Sequence, residues 1–283
     1  MRTPARRPSN WTRAGSLLAL GLAAAVVASG AGARPPGVLV RLLDHTQRKH
    51  PNALWHVVHD LCVTDMRASG HPAPCAQVDL SGGFALIKDM GHQTQYLLIP
   101  TARITGIESP RLQDPDAPNY WRDAWQARAL VEQALGRELP RPDIGLAVNS
   151  IPGRTQNQLH IHIDCVRPDV ITFLADHQKE IGSRWSILTK PLDGWRYHVR
   201  WVAGEDLGDH DPFKLLARTD PAARSDMGDE TLAVIGAVRP DGSPGFILLS
   251  AQGGGDNDDA AVAERLLDHS CRVAQADAAT VRP

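Results

Sequence analysis

The ten residues Gln156-Asn-Gln-Leu-His-Ile-His-Ile-Asp-Cys165 constrain this chain more tightly than any other stretch. Side chains of a β-strand point alternately to its two faces. Leu159, Ile161, Ile163 and Cys165 then share one face, and Gln156, Gln158, His160, His162 and Asp164 share the other. The first face is built for a core. The second carries five successive hydrogen-bonding groups, where a solvated face more often uses Lys, Glu and Thr. The pattern predicts a strand over Gln156–Val166 in a sheet with one apolar side and one chemically equipped side.

The flanking sequence supplies the rest of such a sheet. Apolar spacing near 3.6 predicts helices over Val38–His45 and Leu54–Val63. Phe84–Lys88 and Gln95–Pro100 read as strands joined by a turn at Asp89–His92, and Ile144–Asn149 as another before the loop Ser150–Arg154. Pro118-Asn119 opens a helix predicted over Tyr120–Leu135 and ended by Gly136. A further helix is expected at Val170–Lys179, strands near Trp195–Val202, Thr231–Val238 and Phe246–Ser250, a loop over residues 251–259, and a final helix over Ala260–Cys271. Strands joined both by hairpins and by helices indicate an α+β domain with a mainly antiparallel sheet. Its core is expected at about residues 80–170, with a C-terminal extension over 171–283.

The N-terminus reads as a targeting segment. Arg2, Arg6, Arg7 and Arg13 precede an uncharged stretch from Ala14 to Ala33. A helix of that length, at about 1.5 Å per residue, spans roughly 30 Å, the thickness of a hydrocarbon core. Two readings stay open. One is a single-pass inner-membrane anchor. The other is a signal peptide cleaved at Ala31-Gly32-Ala33. Both keep the arginines cytoplasmic and export residues 34–283 as the working domain. Of the 30 basic and 32 acidic residues, the exported part holds 26 and 32, a net of −6. A body of that sign is a poor general nucleic-acid binder. Four cysteines suit an exported chain and allow three disulfide connectivities. Cys62 and Cys75, close in sequence across a Gly/Pro loop, are paired by proximity, which leaves Cys165 with Cys271.

A His-x-His pair has two functional readings. His160 and His162 at i and i+2 can bind one metal ion, with Asp164 or a distant His92 or His198 as further ligands. Alternatively one imidazole is a nucleophile toward phosphorus while its neighbours fix the tautomer and hold phosphate oxygens.

The stretch Asn149-Ser-Ile-Pro-Gly153-Arg-Thr-Gln156-Asn-Gln-Leu-His160-Ile-His162 resembles the signature of the histidine-triad superfamily of nucleotide hydrolases and transferases. Ala85-Leu-Ile-Lys-Asp89, Gln95-Tyr-Leu-Leu-Ile-Pro100 and Arg103 are similar to that superfamily's two nucleotide-cradling strands. The run from Arg154 to Val170, with the N-terminal segment and the four cysteines, looks like the bacterial CDP-diacylglycerol pyrophosphatase family.

The resemblance implies cleavage of a liponucleotide at its pyrophosphate bond, giving CMP and phosphatidate through a nucleotidyl-histidine. It puts the nucleophile at the middle triad position. The Asn and Gln spacing makes that His162, with His160 first and Asp164 third. A register shifted by two makes His160 the nucleophile. Asn149, Arg154, Gln156, Gln158 and Lys88 are the implied phosphate and nucleotide donors, with Asp164 in a position usually held by His or Gln. Tyr96, Trp121 and Trp125 are candidates for the base or lipid side, though each also reads as core. Splitting the anhydride in two displacements needs neither metal nor cofactor in principle. The implied partners are CDP-diacylglycerol and the bilayer surface. Two other classes remain: a periplasmic metal-binding protein using His160 and His162, and a binding module whose active face has decayed, toward which Asp164 points.

Overall fold

The computed structural model describes residues 50–253 and 260–275. The arginine-rich end, the Ala14–Ala33 segment, the predicted helix Val38–His45 and most of the 251–259 loop lie outside the described residues. No helix among the described residues is long and apolar enough to cross a membrane.

Among the described residues, nine strands form one antiparallel sheet: β1 (Gln77–Asp79), β2 (Phe84–Lys88), β3 (Tyr96–Pro100), β4 (Ile144–Val148), β5 (Ile161–Cys165), β6 (Ser186–Ile187), β7 (His198–Ala203), β8 (Glu230–Val238) and β9 (Pro244–Gln252). Their order is β1-β2-β3-β5-β4-β8-β9-β7-β6. The expected α+β class is therefore the observed one.

One face of the sheet carries Leu86, Leu98, Leu146, Ile161, Ile163, Val234 and Leu248, packed with Trp121, Trp125 and Phe213. The opposite face has two separate apolar covers. At one end, α1 (Ala53–His56), a π-helical stretch Val57–Cys62 and α2 (Val63–Ser69) pack Leu54, Val57 and Val58 on Ala85, Ile87, Leu97 and Ile99. At the other, Val170 and Leu174 pack with Ala147, Val199, Ala233, Leu266 and Leu267. Between the covers runs β5. His162 sits opposite Leu97 on β3 and Ala147 on β4, one from each cover. The polar face of β5 thus lines a gap between two apolar blocks.

Four expected elements differ. The predicted helix Tyr120–Leu135 is two helices, α3 (Tyr120–Gln126) and α4 (Ala129–Leu135). Arg128 divides them: its guanidinium lies over the Trp125 ring and donates at 2.8 Å to the Trp125 carbonyl, which also accepts the Arg128 amide at 3.3 Å. The strand predicted over Gln156–Val166 is regular only over Ile161–Cys165. Upstream, the amides of Asn157 and Leu159 donate to the carbonyls of Pro51 and Ile104 instead of a neighbouring strand. The helix predicted over Ala260–Cys271 is a single 3-10 turn, Ala263–Leu266, inside an extended run. The helix predicted at Val170–Lys179 begins earlier, as α5 (Pro168–Asp176).

Two disulfides, Cys62–Cys75 and Cys165–Cys271, take the expected pairing. The second ties the C-terminal run to the end of β5, next to Asp164.

Candidate active site

Alternation along β5 places the side chains of His160, His162 and Asp164 on one face, as the sequence pattern requires. The rings of His160 and His162 meet edge to face, with centroids 4.9 Å apart. Both border a small cleft of about 130 Å³, together with Leu54, Asp89, Leu97, Asn149, Gly153, Thr155, Gln156 and Glu264.

His162 is buried, and its two nitrogens differ. Nδ1 lies 3.1 Å from Glu264 Oε1. That carboxylate can only accept while ionised, so it fixes the neutral ring's proton on Nδ1. Nε2 is buried and has no hydrogen-bond partner. Its lone pair is left for a ligand.

His160 makes a different choice. Its Nδ1 donates to the Gln158 carbonyl at 2.7 Å, which leaves Nε2 as the acceptor nitrogen. Burial lowers its pKa to about 4, and neighbouring His162 adds to the effect, so the ring is neutral at ordinary pH.

Glu264 is the hub that the sequence did not single out. Asn149 Nδ2 donates to its Oε2 at 3.1 Å, while Asn149 Oδ1 accepts the Glu264 amide at 3.2 Å. The amide nitrogen of Gln95 donates to Glu264 Oε1 at 3.2 Å and lies 3.1 Å from His162 Nδ1. Burial opposes ionisation of Glu264. The electrostatic pull of the His162 ring and the hydrogen bonds from His162, Gln95 and Asn149 outweigh it and hold the carboxyl well below the usual range. The close passage of this run also explains Gly153, where a Cβ would stand 2.8 Å from the Ala261 carbonyl oxygen.

Asp164 is fully buried and does not face the cleft. Its Oδ1 accepts from Thr94 Oγ1 at 2.5 Å and from the Cys165 amide at 2.9 Å, and its Oδ2 meets His269 Nδ1 at 2.8 Å. Burial would lower the His269 pKa, but Asp164, Glu264 and Asp89 raise it.

The expected phosphate donors therefore separate. Asn149 and Gln156 border the cleft, although the Asn149 amide is already engaged by Glu264 and Gln156 Oε1 accepts the Leu54 amide at 2.9 Å. Gln158 points elsewhere: its Nε2 donates to the carbonyls of Pro100 and Ala102, both at 2.9 Å. Lys88 Nζ donates to the carbonyls of Asp89, His92 and Gln95 at 3.2, 2.8 and 3.2 Å, which uses all three of its protons on one turn. Arg154 makes a two-pronged bond to Glu108, at 2.5 and 2.8 Å, with its side chain 8% exposed. Trp121 and Trp125 are core residues at 0% and 1% exposure, and Tyr96 packs on the same core. Of the distant histidines considered as metal ligands, His198 bonds Asp220 at 2.5 Å, whereas His92 lies against His269 with ring centroids 4.0 Å apart.

The sequence pattern brings in Gln95 only as the first residue of a strand and does not single out Thr94, Glu264 or His269. One signal pointed to the last two. A Cys165–Cys271 bridge brings residues just before 271 to the polar end of β5.

The family model described as CDP-diacylglycerol pyrophosphatase matches residues 49–275, the span that contains both the β5 histidines and Glu264. A curated CDP-diacylglycerol pyrophosphatase of Yersinia pestis is 43% identical over 222 residues, covering 78% of this chain and 84% of that protein.

Proposed function

The chain belongs to the CDP-diacylglycerol pyrophosphatase family, and from that premise we propose that it hydrolyses the pyrophosphate bond of CDP-diacylglycerol with His162 as nucleophile. The observation that carries this reading is the Nε2 of His162, buried without a partner at the cleft while Nδ1 rests on Glu264.

Nε2 attacks the phosphorus bonded to cytidine, in line with the anhydride oxygen. An N–P bond forms as the P–O bond breaks, and the electron pair leaves with phosphatidate. The imidazolium charge that develops is stabilised by the Glu264 carboxylate at Nδ1. Water then attacks the cytidylyl-histidine, its oxygen bonding to phosphorus and its proton passing to solvent. The P–N bond breaks, its electron pair returns to Nε2, and CMP is released. Asn149 and Gln95 hold Glu264 for both steps. Neutral His160 packs its edge against His162 and fixes the ring's orientation.

A second reading rests on a specific observation. His160, not His162, has its Nδ1 on a backbone carbonyl, and its neutral Nε2 is also available to the cleft. That is the shifted register, with His160 attacking.

Rapid quench of protein mixed with CDP-diacylglycerol into alkaline denaturant, in which a phosphorus–nitrogen bond survives, followed by peptide mapping at neutral to basic pH, tests both. The expected adduct is CMP on His162, absent in His162→Ala. An adduct on His160 selects the second reading, and turnover with no adduct refutes the covalent route. Losing a nucleophile costs more than the roughly 10²–10⁴-fold typical of an acid–base group.

Export to the periplasm is part of the same proposal. Both disulfides fit an oxidising compartment. A liponucleotide with two acyl chains stays in the bilayer, and an anchor at Ala14–Ala33 would hold the enzyme on the same surface.

A further inference from the structure

A pyrophosphate diester brings two negative charges into a cleft whose described lining includes Asp89 and Glu264 and no lysine or arginine. The nearby cations that the sequence suggested are committed elsewhere, Lys88 to three carbonyls and Arg154 to Glu108. Neutral amides and imidazoles do not offset that charge.

Beside the cleft, His92, Glu264 and His269 bring one donor atom each to within 4.8 Å of one another. Asp164 occupies Nδ1 of His269, so its other nitrogen, Nε2, is the one that faces Glu264 Oε1 at 3.6 Å. The two atoms stand farther apart than a hydrogen bond, at a separation that a cation bound to both would span. A proton would satisfy those two groups alone. It gives no part to the third donor, His92, whose ring lies against His269 and whose Nε2 is 3.8 Å from Asp89.

We propose that His92, Glu264 and His269 bind a zinc-class divalent cation at the edge of the cleft, next to His162. Two imidazoles and one carboxylate are a donor set that leaves a fourth position open on zinc. The support behind His269 is of the kind metal-bound histidines have: Asp164 holds Nδ1, and Thr94 with the Cys165 amide holds Asp164. The site is not the His160–His162 pair that the sequence offered for a metal, and it departs from the expectation of metal-free chemistry. Resting on the hydrolase reading, the open position takes a pyrophosphate oxygen and supplies the missing positive charge.

The test uses full-length protein stripped by chelator and dialysed. Zinc is titrated in and counted by elemental analysis after gel filtration, and Co²⁺ is added separately for its visible bands. One tightly held zinc per chain is expected, with binding weakened roughly 100-fold or more in His92→Ala and in His269→Gln. Circular dichroism and thermal unfolding establish that each variant is folded, and His160→Ala should keep the zinc. Absence of stoichiometric zinc, or zinc indifferent to both His92→Ala and His269→Gln, overturns the site. Loss in His160→Ala with retention in His92→Ala also overturns it, moving the ion to the β5 pair. Hydrolysis assayed on the same samples separates the two readings. Full turnover by protein that binds no zinc removes the site and keeps the hydrolase. Zinc bound here with no cleavage of CDP-diacylglycerol keeps the site and removes the hydrolase.

Discussion

Removing the Cys165–Cys271 bridge by the double change Cys165→Ala and Cys271→Ala should cost both stability and activity, for one structural reason. The cross-link closes a loop of 106 residues. Chain-entropy arithmetic gives about 4.7 kcal/mol for a loop of roughly 100 residues, against about 3 kcal/mol for a loop near the Cys62–Cys75 size. A domain with about 5–15 kcal/mol in total loses a large share of its stability. At about 2–4 °C per kcal/mol for a domain of this size, the thermal midpoint falls by roughly 10–20 °C. The bridge also carries the run that holds Glu264 and His269, and other bonds retain that run only in part: Asp268 donates its amide to the Cys165 carbonyl, and Leu267 pairs with Val166. Turnover should therefore drop even at a temperature where the variant is fully folded, because Glu264 no longer sits at a fixed distance from His162. Urea unfolding gives the stability difference, and initial rates on detergent-dispersed CDP-diacylglycerol at 15 °C give the activity. A double variant within 1 kcal/mol of wild type and with undiminished turnover would refute the account of the C-terminal run as a tethered part of the site.

Three further outcomes follow from the charges and from the N-terminus. His160 has a folded-state pKa of about 4, below the ordinary 6.5, so the folded protein binds fewer protons there than the unfolded chain. Stability on this account falls as pH drops from about 6.5 toward 4 and levels off below; urea midpoints across that range should show the slope, and His160→Gln should lose it. Arg154→Ala strands the half-buried Glu108 carboxylate and should destabilise by about 3 kcal/mol, read by the same urea curves, whereas an exposed pair would show under 1 kcal/mol. Full-length protein should sediment with inner membranes and resist high salt, and a mature N-terminus found at Arg34 would replace the anchor by a cleaved signal.

Much of the site was legible because it rests on local periodicity. The period-two pattern of residues 159–165 placed Ile161 and Ile163 in the core and His160 and His162 on the facing side, and the structure keeps that division, with the two isoleucines in the apolar cluster and the two histidines at the cleft. Cysteine number and spacing gave both bridges. What was not legible depends on tertiary capture of the backbone. Residues 260–271 are rich in Ala and Leu and read as a helix. Their backbone groups instead bond Ser150, Thr231, Arg167 and Cys165, each on another segment. No local propensity encodes those partners, so Glu264 and His269 could not be located from their own neighbourhood. Lys88 and Arg154 misled for the opposite reason. Charge near a signature motif suggests a ligand, but the folded chain turned one inward on carbonyls and paired the other with Glu108.

The polar face of β5 also shows how a buried network separates scaffold from reaction centre. Burying polar groups between two apolar covers is costly unless each finds a partner. Asp164 has three, and Gln158 spends its amide hydrogens on two carbonyls. Asn149 and Glu264 satisfy each other. For Asp164 and Gln158 that bonding is structural, whereas Glu264 also reaches Nδ1 of His162. Among the described residues, few buried side-chain polar atoms lack a partner, and two of them, His162 Nε2 and Gln95 Oε1, lie in this one network. The carboxylate that holds His162 is the same one that Gln95 contacts. On the proposed reading, the unpartnered nitrogen of this carboxylate-held imidazole is the one that meets a group arriving from outside. The chemistry that suits it is an electrophile, and the phosphorus of an anhydride is one.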